Sequence, residues 1–389
     1  MHLPNYKDGS IVNLMSSIGQ AFNIKSNTIP LKILPPEKLR EAKNIILLVV
    51  DGMGHEFIKS RGKETILNDY LIGDMTSVFP ATTAAAITSY LTGVYPQQHA
   101  NTGWYIYFKE IDKVCSILPF ITREESISLK KYNIKIDEII REKSFSSKLK
   151  NNNFIIQPTD LAYSEYSKIM SKNSKILAYN NLNGMLNKIK KAINSSNEKK
   201  YIYAYWPELD RNHHLYGVDS NQSLRHFKEI DCKLREFIKY IKKTDSILII
   251  TSDHGFVNSN KEKVIWIEDY PKIKECLKAP LSGEPRLAYC NVISQKKKLF
   301  ESLIKTKFKK YCWIYKSSDL IKKDFFGFGK PSSQLIDRVG DFTLIMKENY
   351  ILKDRVKWDK KKFKKGNHGG VSKEEMLVPL VVVEGKNIR

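Results

Sequence analysis

The chain's 389 residues are 42% hydrophobic and 28% charged, which excludes a disordered chain and leaves length for one large domain or two ordinary ones. No stretch reaches the roughly 18 uninterrupted apolar residues of a membrane span. The start, MHLPNYKDGSIVNLMSS, lacks the basic-then-apolar order of a secretory signal, so the expected compartment is the cytoplasm. The net charge of +23 comes from scattered lysines without an aromatic-plus-basic recognition motif. It reads as a general bias that gathers phosphate-bearing small molecules, not as a dedicated nucleic-acid or membrane surface.

Along the chain, Asn44 to Val50 (NIILLVV) is the first clear strand, a continuous apolar run after Asn44 as a strand buried on both faces should be, and it ends in Asp51-Gly52. Thr83 to Leu91 favours helix, with an alanine run directly after Thr83. Residues from about 104 to 176 are less regular and rich in aromatics, and we read them as an insertion that walls or caps a site. Tyr201 to Tyr205 is a second strand, followed by WPELD. Asn221 to Lys242 carries an apolar stripe of Leu224, Phe227, Ile230, Leu234, Ile238 and Ile241, the pattern of a helix packed on a sheet. Ser246 to Thr251 is a third strand, ending in Ser252-Asp253-His254-Gly255. A second irregular stretch, about 257 to 338, reads as another insertion, and Val378 to Val383 is a fourth strand. Strand alternating with helix predicts an α/β three-layer sandwich around a mostly parallel sheet, in one catalytic domain over residues 1–389. The five cysteines form no CxxC pair, so neither a disulfide framework nor a thiolate metal site is expected.

Carboxylates and imidazoles gather just past the carboxyl ends of these strands, where open α/β sheets bind ligands. Asp51 follows the first strand. Asp210 and His214 stand at i and i+4, on one face of a helical turn, where both reach one metal. Asp253 and His254 follow the third strand, and His368 sits in a glycine-flanked GNHGG loop. Alone, Asp51 fits a turn as well as a ligand. Together these three carboxylates and three imidazoles suit two borderline divalent ions such as zinc. A hydroxyl at a helix start meets the positive end of the dipole, which suits a nucleophile for phosphorus; an isolated Thr82 or Thr83 there would merely cap the helix.

VVDGMG, TTAAAITSYLTGVYPQQHA, D-x-x-x-H, SDHG and NHGG occur in the order of the type I phosphodiesterase/nucleotide pyrophosphatase family, and the chain resembles that branch of the alkaline phosphatase superfamily from Asp51 to His368. In that superfamily the nucleophile lies nine residues before a Thr-Gly pair, which here is Thr92-Gly93, so the resemblance implies Thr83. It implies one ion held by Asp210, His214 and His368, and another held by Asp51, Asp253, His254 and ionised Thr83. The implied reaction is hydrolysis of a small phosphate diester or pyrophosphate through a phosphothreonine, in an alkaline-phosphatase-like fold with cap insertions. Relatives hold a phosphate oxygen with a downstream asparagine. That register falls on Trp104 here, and the nearest asparagine is Asn101, so both are candidate substrate contacts. A phosphomonoesterase or phosphonate hydrolase on the same core, or a catalytically silent cationic binder of nucleic acid or lipid, are the alternative readings. The absence of the Cys/Ser-x-Pro-x-Arg motif argues against a sulfatase, and threonine in place of serine against an alkaline phosphatase proper.

Overall fold

A computed structural model describes residues 1–150, 152–356 and 363–386. Its centre is a seven-stranded sheet of β1 (Asn44–Val50), β2 (Leu71–Thr76), β3 (Asn153–Pro158), β4 (Ser174–Tyr179), β5 (Lys200–Trp206), β6 (Ser246–Thr251) and β11 (Leu377–Glu384), ordered β2-β11-β6-β1-β5-β3-β4. Every pairing among β1, β3, β4, β5 and β6 is parallel, while β11 runs antiparallel to both of its neighbours, β2 and β6. The sheet is thus mostly parallel and of alkaline-phosphatase type, as the sequence implies.

The continuous apolar run of β1 has a direct cause. Ile45, Leu47 and Val49 enter the core on one face of the sheet, and Ile46, Leu48 and Val50 enter the core on the other. Helix α1 (Thr83–Thr92) packs in the first of these cores through Ala85, Ala86, Tyr90 and Leu91. Helix α3 (Asn221–Ile241) packs in the second through Phe227, Ile230, Leu234, Phe237, Ile238 and Ile241; Leu224, expected on that stripe, is partly buried at its edge.

The stretch expected as an insertion from 104 to 176 divides in two. Its first part forms a small antiparallel sheet of Ile106–Phe108, Lys113–Ser116 and Ile121–Thr122. Its last part supplies β3 and the first half of β4, which belong to the central sheet. The polar NNN and KNSK segments that precede these strands hide them, and β4 is an edge strand whose residues are mostly half-buried, so it lacks a continuous apolar run. The second expected insertion holds a four-stranded antiparallel sheet, β7 (Ser282–Glu284), β8 (Leu287–Cys290), β9 (Cys312–Lys316) and β10 (Phe342–Met346), which ends beyond residue 338 and has its own apolar core around Phe300, Phe308 and Leu344. The two insertions meet: Tyr105 and Gly283 exchange backbone hydrogen bonds of 3.2 and 2.6 Å. Among the described residues no helix is long and apolar enough to cross a membrane.

Candidate active site

Three adjacent parallel strands deliver the acidic groups. β1 ends at Asp51, β6 leads into Asp253 and His254, and β5 leads through Pro207 into helix α2 (Glu208–Tyr216), which carries Asp210 and His214 one turn apart. Gly52 turns the chain sharply after β1 at φ +74°, and a Cβ there would lie 2.6 Å from the Phe256 ring. Phe256 in turn packs against the rings of His214, His254 and His368, with centroids 5.0–5.4 Å away. The imidazoles are set around one buried aromatic wedge.

The donor atoms converge. His254 Nε2 stands 3.5 Å from Asp51 Oδ1, 3.4 Å from Asp253 Oδ2 and 3.1 Å from Thr83 Oγ1. Its Nδ1 lies 3.1 Å from the Gly255 carbonyl and donates to it, so Nε2 carries the lone pair. Nearby, Asp210 Oδ1 is 3.6 Å from His214 Nε2 and 3.9 Å from His368 Nε2. His214 Nδ1 donates to the Gly366 carbonyl at 2.9 Å, which again turns the Nε2 lone pair inward. Five of the six implied carboxylate and imidazole ligands fall into two clusters that share His254: Asp51, Asp253 and His254 form one, Asp210, His254 and His368 the other, and His214 stands beside the second through its approach to Asp210.

This donor set fits cations. Asp51 Oδ1, Asp210 Oδ1 and Asp253 Oδ2 are buried without a hydrogen-bond partner, an arrangement that costs stability unless a positive charge joins them. Burial, then the charges of Asp253 and Asp210, push the Asp51 carboxyl well above its ordinary value. Burial pushes Asp210 up to about 6. Burial also holds His214 and His368 well below the usual imidazole value, as neutral ligands must be. Tyr205 donates its hydroxyl to Asp51 Oδ2, and the backbone N–H groups of Gly52 and His254 donate to Asp253 Oδ1 at 3.1 and 3.0 Å, which orients both carboxylates. His213, which stands off the i, i+4 spacing, is wedged edge-on between Phe57 and Phe256 and belongs to neither cluster.

Thr83 is the first residue of α1, and its hydroxyl faces His254. Thr82 occupies the N-cap position, yet its side chain makes no capping bond; its hydroxyl donates to Glu284 Oε1 at 2.5 Å instead. Simple capping therefore accounts for neither side chain.

Thr83 opens on a cavity of about 240 Å³. Asp210, His214 and His368 form its floor, Trp104 and Tyr105 one wall, and Glu284, Lys353 and Lys364 other parts of the lining. Trp104 thus lines the same cavity as Thr83. Asn101 does not line this cavity. It is fully buried, and its amide donates to the Ala84 carbonyl at 3.0 Å and to Thr88 Oγ1 at 2.8 Å, which ties it to the flank of α1 and removes it as a phosphate clamp.

Sequence reasoning passed over four supporting residues: Tyr205, Glu284, Arg286 and Glu375. Arg286 and Glu375 form a fully buried double hydrogen bond of 3.0 and 2.9 Å. Glu375 also accepts from the Gly370 N–H at 2.9 Å, two residues beyond His368. The signal available was the charged Glu-Pro-Arg set into the apolar stretch LSGEPRLAYC.

The profile of the type I phosphodiesterase/nucleotide pyrophosphatase family matches residues 45–371. The chain belongs to this family. Its fold is similar to that of murine ectonucleotide pyrophosphatase/phosphodiesterase 5, at 19% identity and a TM-score of 0.67, over 86% of this chain and 87% of that one. The same murine protein is also known as an inactive variant in complex with AMP, with a TM-score of 0.66, 19% identity and the same coverage. Phosphonoacetate hydrolase from Sinorhizobium meliloti 1021, in complex with phosphonoformate, shares the fold at 13% identity and a TM-score of 0.61, over 89% and 91% of the two chains.

Proposed function

We propose that this member of the family hydrolyses a phosphate diester or pyrophosphate bond of a small nucleotide-like substrate through Thr83. One observation carries the reading: the Thr83 hydroxyl, at the start of a buried helix, lies 3.1 Å from the one imidazole that both ligand clusters share. Asp210, His214 and His368 would hold one divalent ion, and Asp51, Asp253 and His254 the second, with zinc the metal the mixed oxygen and nitrogen set suits best. Such ions, when bound, lower the pKa of a coordinated hydroxyl and offset charge on phosphate oxygens.

The chain's own groups supply the rest. The Thr83 hydroxyl loses its proton to solvent water, which supplies one to the leaving oxygen, and Oγ1 attacks phosphorus in line. The bond from phosphorus to the leaving oxygen breaks as the Oγ1–phosphorus bond forms, leaving a phosphothreonine. Water then attacks phosphorus from the opposite side, on the face lined by Asp210, His214 and His368; the Oγ1–phosphorus bond breaks and the threonine hydroxyl returns. The α1 N-terminus holds fixed dipoles toward the phosphate oxygens through both steps. Trp104 and Tyr105 give the cavity flat faces on which a base or an aryl group can stack. The AMP complex of the murine protein is in keeping with a nucleotide-sized substrate. Hydrolysis of a phosphomonoester or phosphonate on the same core is the second reading, since phosphonoacetate hydrolase shares the fold.

The test is Thr83→Ala. Hydrolysis of a nucleoside 5′-nitrophenyl ester should fall by at least about a thousandfold, with unchanged melting temperature and metal content. Near-normal turnover in Thr83→Ala, with turnover lost in Thr82→Ala, would overturn the assignment.

A further inference from the structure

Glu284 is a carboxylate in the wall of a cavity expected to receive an anion. It arrives from β7, in the inserted sheet, not from the core that carries the ligands. Both its donors converge on one oxygen: Thr82 Oγ1 at 2.5 Å and the Trp104 N–H at 2.8 Å. Among the described residues no hydrogen bond takes Oε2 and no Lys or Arg lies within ion-pair distance. The Trp104 N–H can only donate, so it favours the ionised carboxylate. Burial raises the carboxyl's pKa, and the Thr82 and Trp104 donors and then the Lys364 charge oppose that rise without cancelling it.

The backbone leaves this group little freedom. Gly369, the neighbour of His368, has φ +105°, and a Cβ there would meet the Glu284 Cβ and Cγ at 2.7 Å. Gly283 has φ +90°, and a Cβ there would meet the Leu287 carbonyl oxygen at 2.3 Å. Glu284 is therefore seated between the residue before the nucleophile and the loop of an implied metal ligand. Its negative charge, in a lining that also holds Asp210, Lys353 and Lys364, lies where it opposes an anion bound beside Thr83.

We propose that Glu284 is a specificity-determining charge filter, which disfavours dianionic phosphate monoesters and leaves monoanionic diesters as the preferred substrates. The inference rests on the reading that Thr83 attacks phosphorus. Repulsion scales with substrate charge. A monoester carries nearly two negative charges above its second pKa of about 6, whereas a diester carries one. Removing the carboxylate helps both, and helps the dianion by one extra unit of charge. Attraction to the ligand set is the same before and after, so it cancels in the comparison. At a separation of several ångströms, in the effective dielectric of a half-open site, one unit of charge is worth about tenfold in rate or affinity.

Glu284→Gln is the decisive variant, because its amide oxygen still accepts from Thr82 and Trp104 while the charge is gone. The kcat/KM ratio of nitrophenyl phosphate to its methyl diester at pH 8 should rise about tenfold over the wild-type ratio. Glu284→Met removes both charge and hydrogen bonds, and should show the same ratio shift at lower absolute rates. A ratio unchanged in both variants overturns the proposal, whether or not the rates fall, and leaves Glu284 a positioning residue only. The binding arm separates this from failure of the catalytic reading. In a Thr83→Ala background, Glu284→Gln should tighten phenyl phosphate about tenfold relative to diphenyl phosphate by calorimetry. If the wild type hydrolyses neither ester, the Thr83 reading fails, and the binding ratio alone then decides for or against the filter.

Discussion

Glu375→Ala probes the support beneath the site. Arg286 and Glu375 are both essentially inaccessible, at 1% and 0% side-chain exposure, and meet through two hydrogen bonds of 3.0 and 2.9 Å. Removing one partner of a buried pair leaves the other charge uncompensated, which costs about 3–5 kcal/mol. The variant also strips acceptors from the Gly370 and Ser372 N–H groups, at 2.9 and 3.3 Å. A protein's whole stability is on the order of 5–15 kcal/mol, so the loss is large but the fold should survive. With an unfolding slope of roughly 3 kcal/mol per molar urea, the midpoint should fall by about 1 M or more. The pair also sets a pH dependence. Burial would raise the Glu375 carboxyl, but the Arg286 charge and hydrogen bonds outweigh it, and the folded pKa lies below the ordinary value. Its contribution is therefore fully present above the unfolded carboxyl's pKa and is lost as pH falls through the folded one. The difference between wild type and Glu375→Ala should shrink in acid. Replacing both residues by leucine should recover much of the loss, since no buried charge then remains unpaired. A midpoint within about 0.3 M of wild type for Glu375→Ala, equal to about 1 kcal/mol at that slope, would refute the reasoning.

Elemental analysis of the active protein should find two divalent ions per chain, zinc first; a stoichiometry of one or none would sink the two-ion reading. Trp104→Ala should change the ratio of kcat/KM between a nucleoside ester and a small aryl ester, because Trp104 lines the cavity. Equal losses on both esters together with a lower melting temperature would make it a packing residue instead.

The parts of the fold that were legible in the sequence are those where a single local rule decides. β1 reads correctly because both faces are buried and six apolar residues, Ile45 to Val50, follow one another. Helix α3 reads correctly because one stripe is buried, and its predicted end differs by a single residue. The candidate ligands read as a set because Asp51, Asp210, Asp253 and His254 each follow a strand of the same sheet. What did not read were pairings across long separations. β3 and β4 carry no long unbroken apolar run; β4 is the edge strand, and β3 is placed by its pairing with β5 and β4 on either side. Asn101 looked like a phosphate contact by proximity to the nucleophile segment. Three-dimensional packing turns its amide onto α1, because Ala84 and Thr88 stand 17 and 13 residues away in sequence but within 3.0 Å in space. Glu284 and Thr82 are 202 residues apart, and no spacing rule connects them.

These long-range contacts have a common consequence for how the cavity is built. The ligand floor comes from the core sheet, whereas the walls come from two insertions joined at Tyr105 and Gly283. A loosely attached wall would let the substrate shift against the nucleophile, and displacement by about 1 Å can cost on the order of a hundredfold in rate. The inserted sheet is tied down at both ends of the chemistry. Glu284 holds the hydroxyl of Thr82, next to the nucleophile, and Arg286, two residues on, is paired with Glu375 beneath the His368 loop. One three-residue segment, Glu284-Pro285-Arg286, thus couples the cavity wall to the helix start that carries Thr83 on one side and to the His368 loop on the other. Substitutions in the edge strand β9 can therefore reshape the insertion while this segment keeps the wall in register with the floor. Substitutions within the segment itself act on wall and floor together.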